Sequence, residues 1–186
     1  PGSITNCRMP APVANRMATG HRIVTAVMGA LAEAAPDRVP AAYYGVSYVM
    51  TLQAPDPIIE GDARVYFEVE VGGWGGHPDG DGADGFSCGF HNLANSPVEM
   101  CETLFPITFT EYGFIPDSGG NGQHRGGLGL AREWRLNADW GTVSGNFERF
   151  RHGPYGLSGG EAGARGRFVH YSGGSANELP SKISNI

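Results

Sequence analysis

Lysine is almost missing from this chain of 186 residues: Lys182 is the only one, and arginine supplies the rest of the positive side-chain charge. Lys and Arg total 13 against 19 Asp and Glu, a net charge of −6. That balance excludes a dedicated nucleic-acid binder and a polybasic membrane anchor, both of which need a positive face. Cysteine is scarce too: Cys7, Cys88 and Cys101, with no Cys-x-x-Cys spacing. An odd, scattered set excludes a disulfide framework and a four-cysteine zinc site, and it reads as reduced thiols of a cytoplasmic protein. No apolar run approaches the ~20 residues of a membrane span, and no basic stretch leads into an apolar one as in a signal peptide.

Glycine, by contrast, is abundant at 30 residues. That is roughly twice the usual share and predicts tight turns and close backbone approaches rather than a helical bundle. Hydrophobic residues make up 40%, enough for a core and too many for a disordered chain. The length allows one domain, so residues 1–186 are read as a single segment. The chain opens on Pro1 and ends Ser181-Lys182-Ile183-Ser184-Asn185-Ile186, which reads as a piece of a larger subunit, cut at both ends.

Along the chain, one long helix is expected at about 15–35, where Met17, Ile23, Val24, Val27, Met28 and Leu31 repeat with helical period as a core stripe. Asn15 is its expected cap and Pro36 its stop. The stretch 43–52 is β-like, and at 63–71 Val65, Phe67, Val69 and Val71 alternate with Arg64, Tyr66, Glu68 and Glu70, the pattern of a half-buried strand. A short helix is expected at 97–105, with Ser96 as cap and Glu99 closing a capping box. Further strands are expected at 107–114, 130–136, 142–147 and 167–171, separated by glycine-rich loops. The predicted class is α+β, strand-rich, with one long helix.

Three constellations carry candidate chemistry. The loop 72–85 holds Trp74, His77, Asp79, Asp81 and Asp84; its spacing is not that of an EF-hand, and His77, Asp79 and Asp81 are its metal-ligand candidates against the alternative of a turn cluster capped by aspartate. The stretch 91–102 holds His91, Asn95, Glu99 and Glu102, with the two glutamates three apart on one helix face. The loop 117–129 has neither the spacing of a dinucleotide fingerprint nor that of a P-loop; a structural corner with an Asp117–Arg125 ion pair is expected instead. His21, His152 and His170 stand alone in the sequence. Cys101 has no evident base beside it in the sequence.

Taken in order, Asn95-Ser96-Pro97-Val98-Glu99 with Glu102 and Pro106, then Asp117-Ser118-Gly119-Gly120 with Gly122, Arg125-Gly126-Gly127 and Gly129, then Pro154-Tyr155-Gly156-Leu157 with Gly159-Gly160 and Gly163, resemble the hydantoinase B/oxoprolinase family. Pro1-Gly2-Ser3, Asn6, Pro10 and Val13 agree as well, so the resemblance runs across nearly the whole chain. It implies the later half of a B-type subunit, with a metal-binding region (a divalent ion such as Zn or Mn) upstream. It implies an A-type partner subunit that binds ATP and Mg, and a reaction that opens a hydantoin, 5-oxoproline or lactam ring after phosphorylation of an amide oxygen. A ketone carboxylase of the acetone or acetophenone type is the alternative reading, and a non-catalytic assembly part is the third. On the matched positions, Asn95, Glu99 and Glu102 are the catalytic candidates, and Trp74, His77, His91, Asp117 and Arg125 the substrate-binding ones.

Overall fold

A computed structural model describes residues 2–3, 5–11, 16–46, 48–89, 91 and 93–186, so the expected cap at Asn15 lies outside the described residues. The elements are α1 (Arg16–Ala34), β1 (Tyr48–Pro55), β2 (Ala63–Glu70), α2 (Val98–Leu104), β3 (Ile107–Phe114), β4 (Leu130–Leu136), β5 (Thr142–Asn146), β6 (Val169–Ser172), β7 (Ser175–Glu178) and β8 (Lys182–Ile183). The α+β expectation holds. An antiparallel sheet runs in the order β2-β1-β5-β8, and β3–β4 and β6–β7 form two separate hairpins. No helix among the described residues is long and apolar enough to cross a membrane.

The core grows from β1. Its inward row of Met50, Leu52 and Ala54, set by the two-residue period of a strand, meets Tyr66, Cys101, Ile107 and Phe147. Burial raises the pKa of the Cys101 thiol and places it in this core, away from any nucleophilic role.

Two elements turn their apolar rows outward, against expectation. On β2, Glu68 lies opposite Met50 and Tyr66 opposite Leu52, so Tyr66 and Glu68 share the core face of β1. Val65 and Phe67 therefore point out, 55% and 58% exposed. Because the side-chain period is two, a single choice of face inverts the whole row. The inner face is fixed by Arg132 of β4, which pairs with Glu68 and Glu70.

Helix α1 behaves likewise. His21, Thr25 and Gly29, spaced by four, form the docking face: the Thr25 hydroxyl donates to the His21 carbonyl at 2.8 Å, and a Cβ on Gly29 would come within 2.9 Å of the Tyr155 hydroxyl. Arg22 adds an ion pair with Glu148 at 3.0 Å. The expected core stripe is not the core: Met17, Ile23, Val27 and Leu31 are exposed, and His21 is the buried residue of the helix.

Three boundaries also differ. Residues 41–44 run extended, but their amides donate to Gly76 (2.8 Å), Tyr155 (3.0 Å) and Gly73 (3.1 Å) of neighbouring loops, so the ladder starts only at Tyr48. Helix α2 is capped by Pro97 with no side-chain hydrogen bond, so the capping box of Ser96 and Glu99 does not form. The hairpin β6–β7 turns at Gly173-Gly174, both at positive φ. That dipeptide is a hairpin signal in the sequence, whereas the polar β7 carries none of its own.

Candidate functional site

Loops 72–85 and 118–129 are woven together backbone against backbone. A Cβ on Gly73 would lie 1.9 Å from the Gly127 carbonyl oxygen, and one on Gly127 would lie 2.0 Å from that of Ala83, so only glycine permits the contact. The amides are spent in the weave: Gly127 N–H donates to the Trp74 carbonyl at 2.8 Å and Trp74 N–H to the Ala83 carbonyl at 3.0 Å. Aspartates pin it. Asp84 accepts from Leu128 N–H at 2.7 Å and from Arg125, donors that hold its carboxyl below the usual range, and Asp81 accepts from Arg125 N–H at 2.9 Å.

The turn-cluster alternative thus describes this loop. His77 closes a tight turn with Gly80, Asp81 faces Arg125, and His77, Asp79 and Asp81 do not converge on one point for a metal. The expected Asp117–Arg125 pair is replaced by Arg125 with Asp84, 3.2 Å apart, while Asp117 takes a left-handed corner at φ 55.

Trp74 stacks its ring on Tyr43 at 5.5 Å and donates its indole N–H to the Ser87 carbonyl at 3.1 Å, and two cavities lie in this region. The larger, about 470 Å³, is an open cleft between the glycine loops and the 154–163 turn, with Trp74, His77 and Tyr155 on its walls. The smaller, about 330 Å³, is bounded by Val71, Phe86, Ser87, His91, Leu93 and Asn95. Of the expected site residues, His91 and Asn95 thus line one cavity and Trp74 and His77 the other, while Asp117, Arg125, Glu99 and Glu102 line neither. Both glutamates are exposed on α2, and Glu102 accepts the Phe109 N–H at 2.7 Å, a structural contact between α2 and β3.

Linked to the smaller cavity is a carboxylate pair that sequence reading missed, Glu68 buried and Glu70 half-buried. Glu68 and Glu70 stand two apart on β2, and both pair with Arg132 of β4, the second at 3.0 Å. One arginine serves two carboxylates. Burial, which outweighs the arginine, pushes Glu70 up to about 7 and raises Glu68 as well. The guanidinium carbon lies 4.3 Å from the centre of the Tyr112 ring, and the Tyr112 hydroxyl accepts from Asn95. A continuous polar chain therefore runs from the carboxylates to the cavity wall. At its end, the side-chain oxygen of Asn95 is buried with no hydrogen-bond partner among the described residues. The only signal in the sequence was the acidic row Glu68, Glu70 beside Tyr66.

On the other side of the cavity, His21 is not alone. Its Nε2 lies 3.1 Å from Nε2 of His91, and the Cys88 sulfur lies 3.2 and 3.3 Å from its two ring nitrogens. Burial, with His91 and Arg22 nearby, lowers the His21 pKa to about 4, and burial lowers that of His91 too, so the neutral imidazole is favoured. The sequence carries one hint: a histidine, a threonine and a glycine spaced by four along one face of the helix.

The fold is antiparallel α+β, with glycine-woven loops beside two cavities. The sequence model of the hydantoinase B/oxoprolinase family matches residues 1–185, and the chain belongs to that family. It is 29% identical over 99% of its length to a protein of Pseudomonas sp. (strain NS671) named, provisionally, as the B component of a D-/L-hydantoinase. It is 39% identical over 56% of its length to 5-oxoprolinase 1 of Arabidopsis thaliana. The chain spans 31% of the length of the first relative and 8% of the second. A solved nucleotide-free structure of acetone carboxylase, from work on ATP-dependent acetone carboxylation, matches with a TM-score of 0.59 at 21% identity, over 70% of this chain and 18% of that one, a likeness of fold.

Proposed function

We propose that this chain shapes the substrate site of an ATP-dependent cyclic-amide hydrolase, as part of its B-type subunit, and that the smaller cavity receives the ring. The carrying observation is the Asn95 wall. A ring amide offers an N–H donor, and Asn95 lines the cavity with its side-chain nitrogen held by Tyr112 and its side-chain oxygen without a partner among the described residues, an acceptor left for the ring. Val71, Phe86 and Leu93 supply apolar walls, and about 330 Å³ suits a small ring. Relatives named for hydantoin and 5-oxoproline support the substrate class. In this reading ATP and Mg²⁺ are bound by an A-type partner subunit, the amide oxygen is activated by phosphorylation, and the complex works in the cytoplasm. Trp74 and His77 border the neighbouring cleft as the approach to the ring.

The test uses the complete complex with hydantoin, 5-oxoproline and caprolactam. Ring opening coupled to ATP cleavage is expected, and Asn95→Ala is expected to lower kcat/KM by about 100-fold, the scale of a lost hydrogen bond to a reacting amide. Ring opening without ATP overturns the reading. Bicarbonate-dependent carboxylation of a ketone, with no ring opening, replaces it with the carboxylase alternative, which rests on likeness of fold.

A further inference from the structure

Three donor atoms of the types that bind zinc meet where α1 crosses the loop after the weave. His21 and Cys88 are buried, 0% and 1% exposed, and His91 is half-buried. One nitrogen from each imidazole and the Cys88 sulfur lie within 4.8 Å of one another. The spacings are close to what one small ion imposes. With metal–nitrogen bonds of ~2.0–2.1 Å and a metal–sulfur bond of ~2.3 Å, a tetrahedral site separates two nitrogens by about 3.3 Å and nitrogen from sulfur by about 3.5 Å. The observed separations are 3.1 Å between the His21 and His91 Nε2 atoms and 3.3 Å from the Cys88 sulfur to His21 Nε2.

The contact between Cys88 and His21 is not a well-aligned hydrogen bond. The sulfur is almost equidistant from both nitrogens of His21, so it lies off the in-plane lone-pair axis of each. A short turn presents two of the donors together, with the His91 N–H donating to the Cys88 carbonyl at 2.8 Å. The third donor is carried in on the docking face of α1, where Thr25 and Gly29 seat the helix against Tyr43 and Tyr155.

We infer that His21, Cys88 and His91 form a binding site for a zinc-type divalent cation. A thiolate with two imidazoles is a donor set of zinc's class rather than of magnesium's or calcium's. Binding replaces the thiol proton, so one proton is released for each ion bound to the protonated cysteine. Three protein ligands leave a fourth position, and His91 borders the smaller cavity, so that position is supplied from the cavity side. The site is distinct from the His77, Asp79 and Asp81 loop and does not depend on which reaction the complete enzyme performs.

The experiment strips the complete native protein with a chelator and titrates it with Co²⁺. A near-ultraviolet thiolate-to-cobalt charge-transfer band is expected, displaced by Zn²⁺. It should vanish in Cys88→Ser, survive in Cys7→Ser, and require at least about 100-fold more metal in His91→Ala. Absence of the band in the wild type, or its persistence in Cys88→Ser, overturns the site. Should Cys88→Ser fail to fold, wild-type protein decides: Zn²⁺ slows alkylation of Cys88 relative to the stripped form, and equal rates overturn the inference. These readouts contain no ring hydrolysis, so failure of the metal site and failure of the proposed function are separable.

Discussion

The smaller cavity lies between two buried polar clusters built on opposite principles. On one side Glu68, Glu70 and Arg132 confine charge, with two carboxylates to one guanidinium. On the other side burial favours the neutral imidazoles of His21 and His91, and the Cys88 sulfur packs against His21. The first cluster is tied within the fold: Arg132 joins the β3–β4 hairpin to the edge of the main sheet, and removing it strands two acids in a poor solvent. The second joins α1 to a loop, where geometry rather than charge does the holding. A buried ion pair specifies which face of a strand goes inward, whereas the His21, Cys88 and His91 cluster brings together donor atoms of three side chains.

The largest expected effect breaks the first cluster. Arg132→Leu leaves the buried Glu68 and the half-buried Glu70 without their cation, and local opening of β2 and β4 should become easier by about 2–4 kcal/mol, read from amide hydrogen exchange of the complete protein. Exchange unchanged in both strands would show that the pair is solvated rather than confined. Next comes the weave of the glycine loops. Gly127→Ala drives a methyl into the Ala83 carbonyl and should cost about 1–3 kcal/mol, with loops 72–85 and 118–129 losing protection together.

A smaller effect sharpens the contrast in charge. Glu70 moves from its ordinary 4.5 up to about 7, so between these values the folded state holds a proton that the unfolded state has lost. Stability contributed by this group is present below pH 4.5 and falls as pH rises through 7. Glu70→Gln should flatten that part of the pH profile and stabilise β2 on the order of 1–2 kcal/mol at pH 8. A profile unchanged by the substitution would place the proton elsewhere in the pair. The smallest effect is expected from Glu99→Gln and Glu102→Gln. Their side chains line neither cavity, so kcat of the complete complex should hold, whereas a loss near 100-fold would restore them to the catalytic role their motif implied.

How far these features can be read in advance depends on the range of the interactions involved. The long helix, the strands at 63–71 (β2 ends one residue earlier), 107–114 and 130–136, and the α+β class all follow from local periodicity and punctuation. The family likewise follows from glycine and proline motifs, because such residues record backbone shape directly in the sequence. The cavity residues are half legible: His91, Asn95, Trp74 and His77 stand out, but which cavity each one borders does not. The Asp117–Arg125 pair fails because closeness in sequence is a poor guide to partners, and Asp84 reaches Arg125 from a loop 41 residues away. The faces of α1 and β2 go astray for a related reason. Periodicity finds the apolar row but not the direction it points, and here Met17, Ile23, Val27, Val65 and Phe67 all point outward.

By itself, then, the sequence determined what depends on neighbours along the chain: where helices and strands run, where glycine lets backbone approach backbone, and hence the family. Only the tertiary structure decided which face of each element is buried and which distant side chains meet. Glu68 finds Arg132, and His21 finds Cys88 and His91, across separations of 64, 67 and 70 residues. The reason is physical. A hydrophobic row is favourable against any apolar surface, so it carries no address, while buried polar groups tolerate only the partners that satisfy them and thereby select the one packing that brings those partners together.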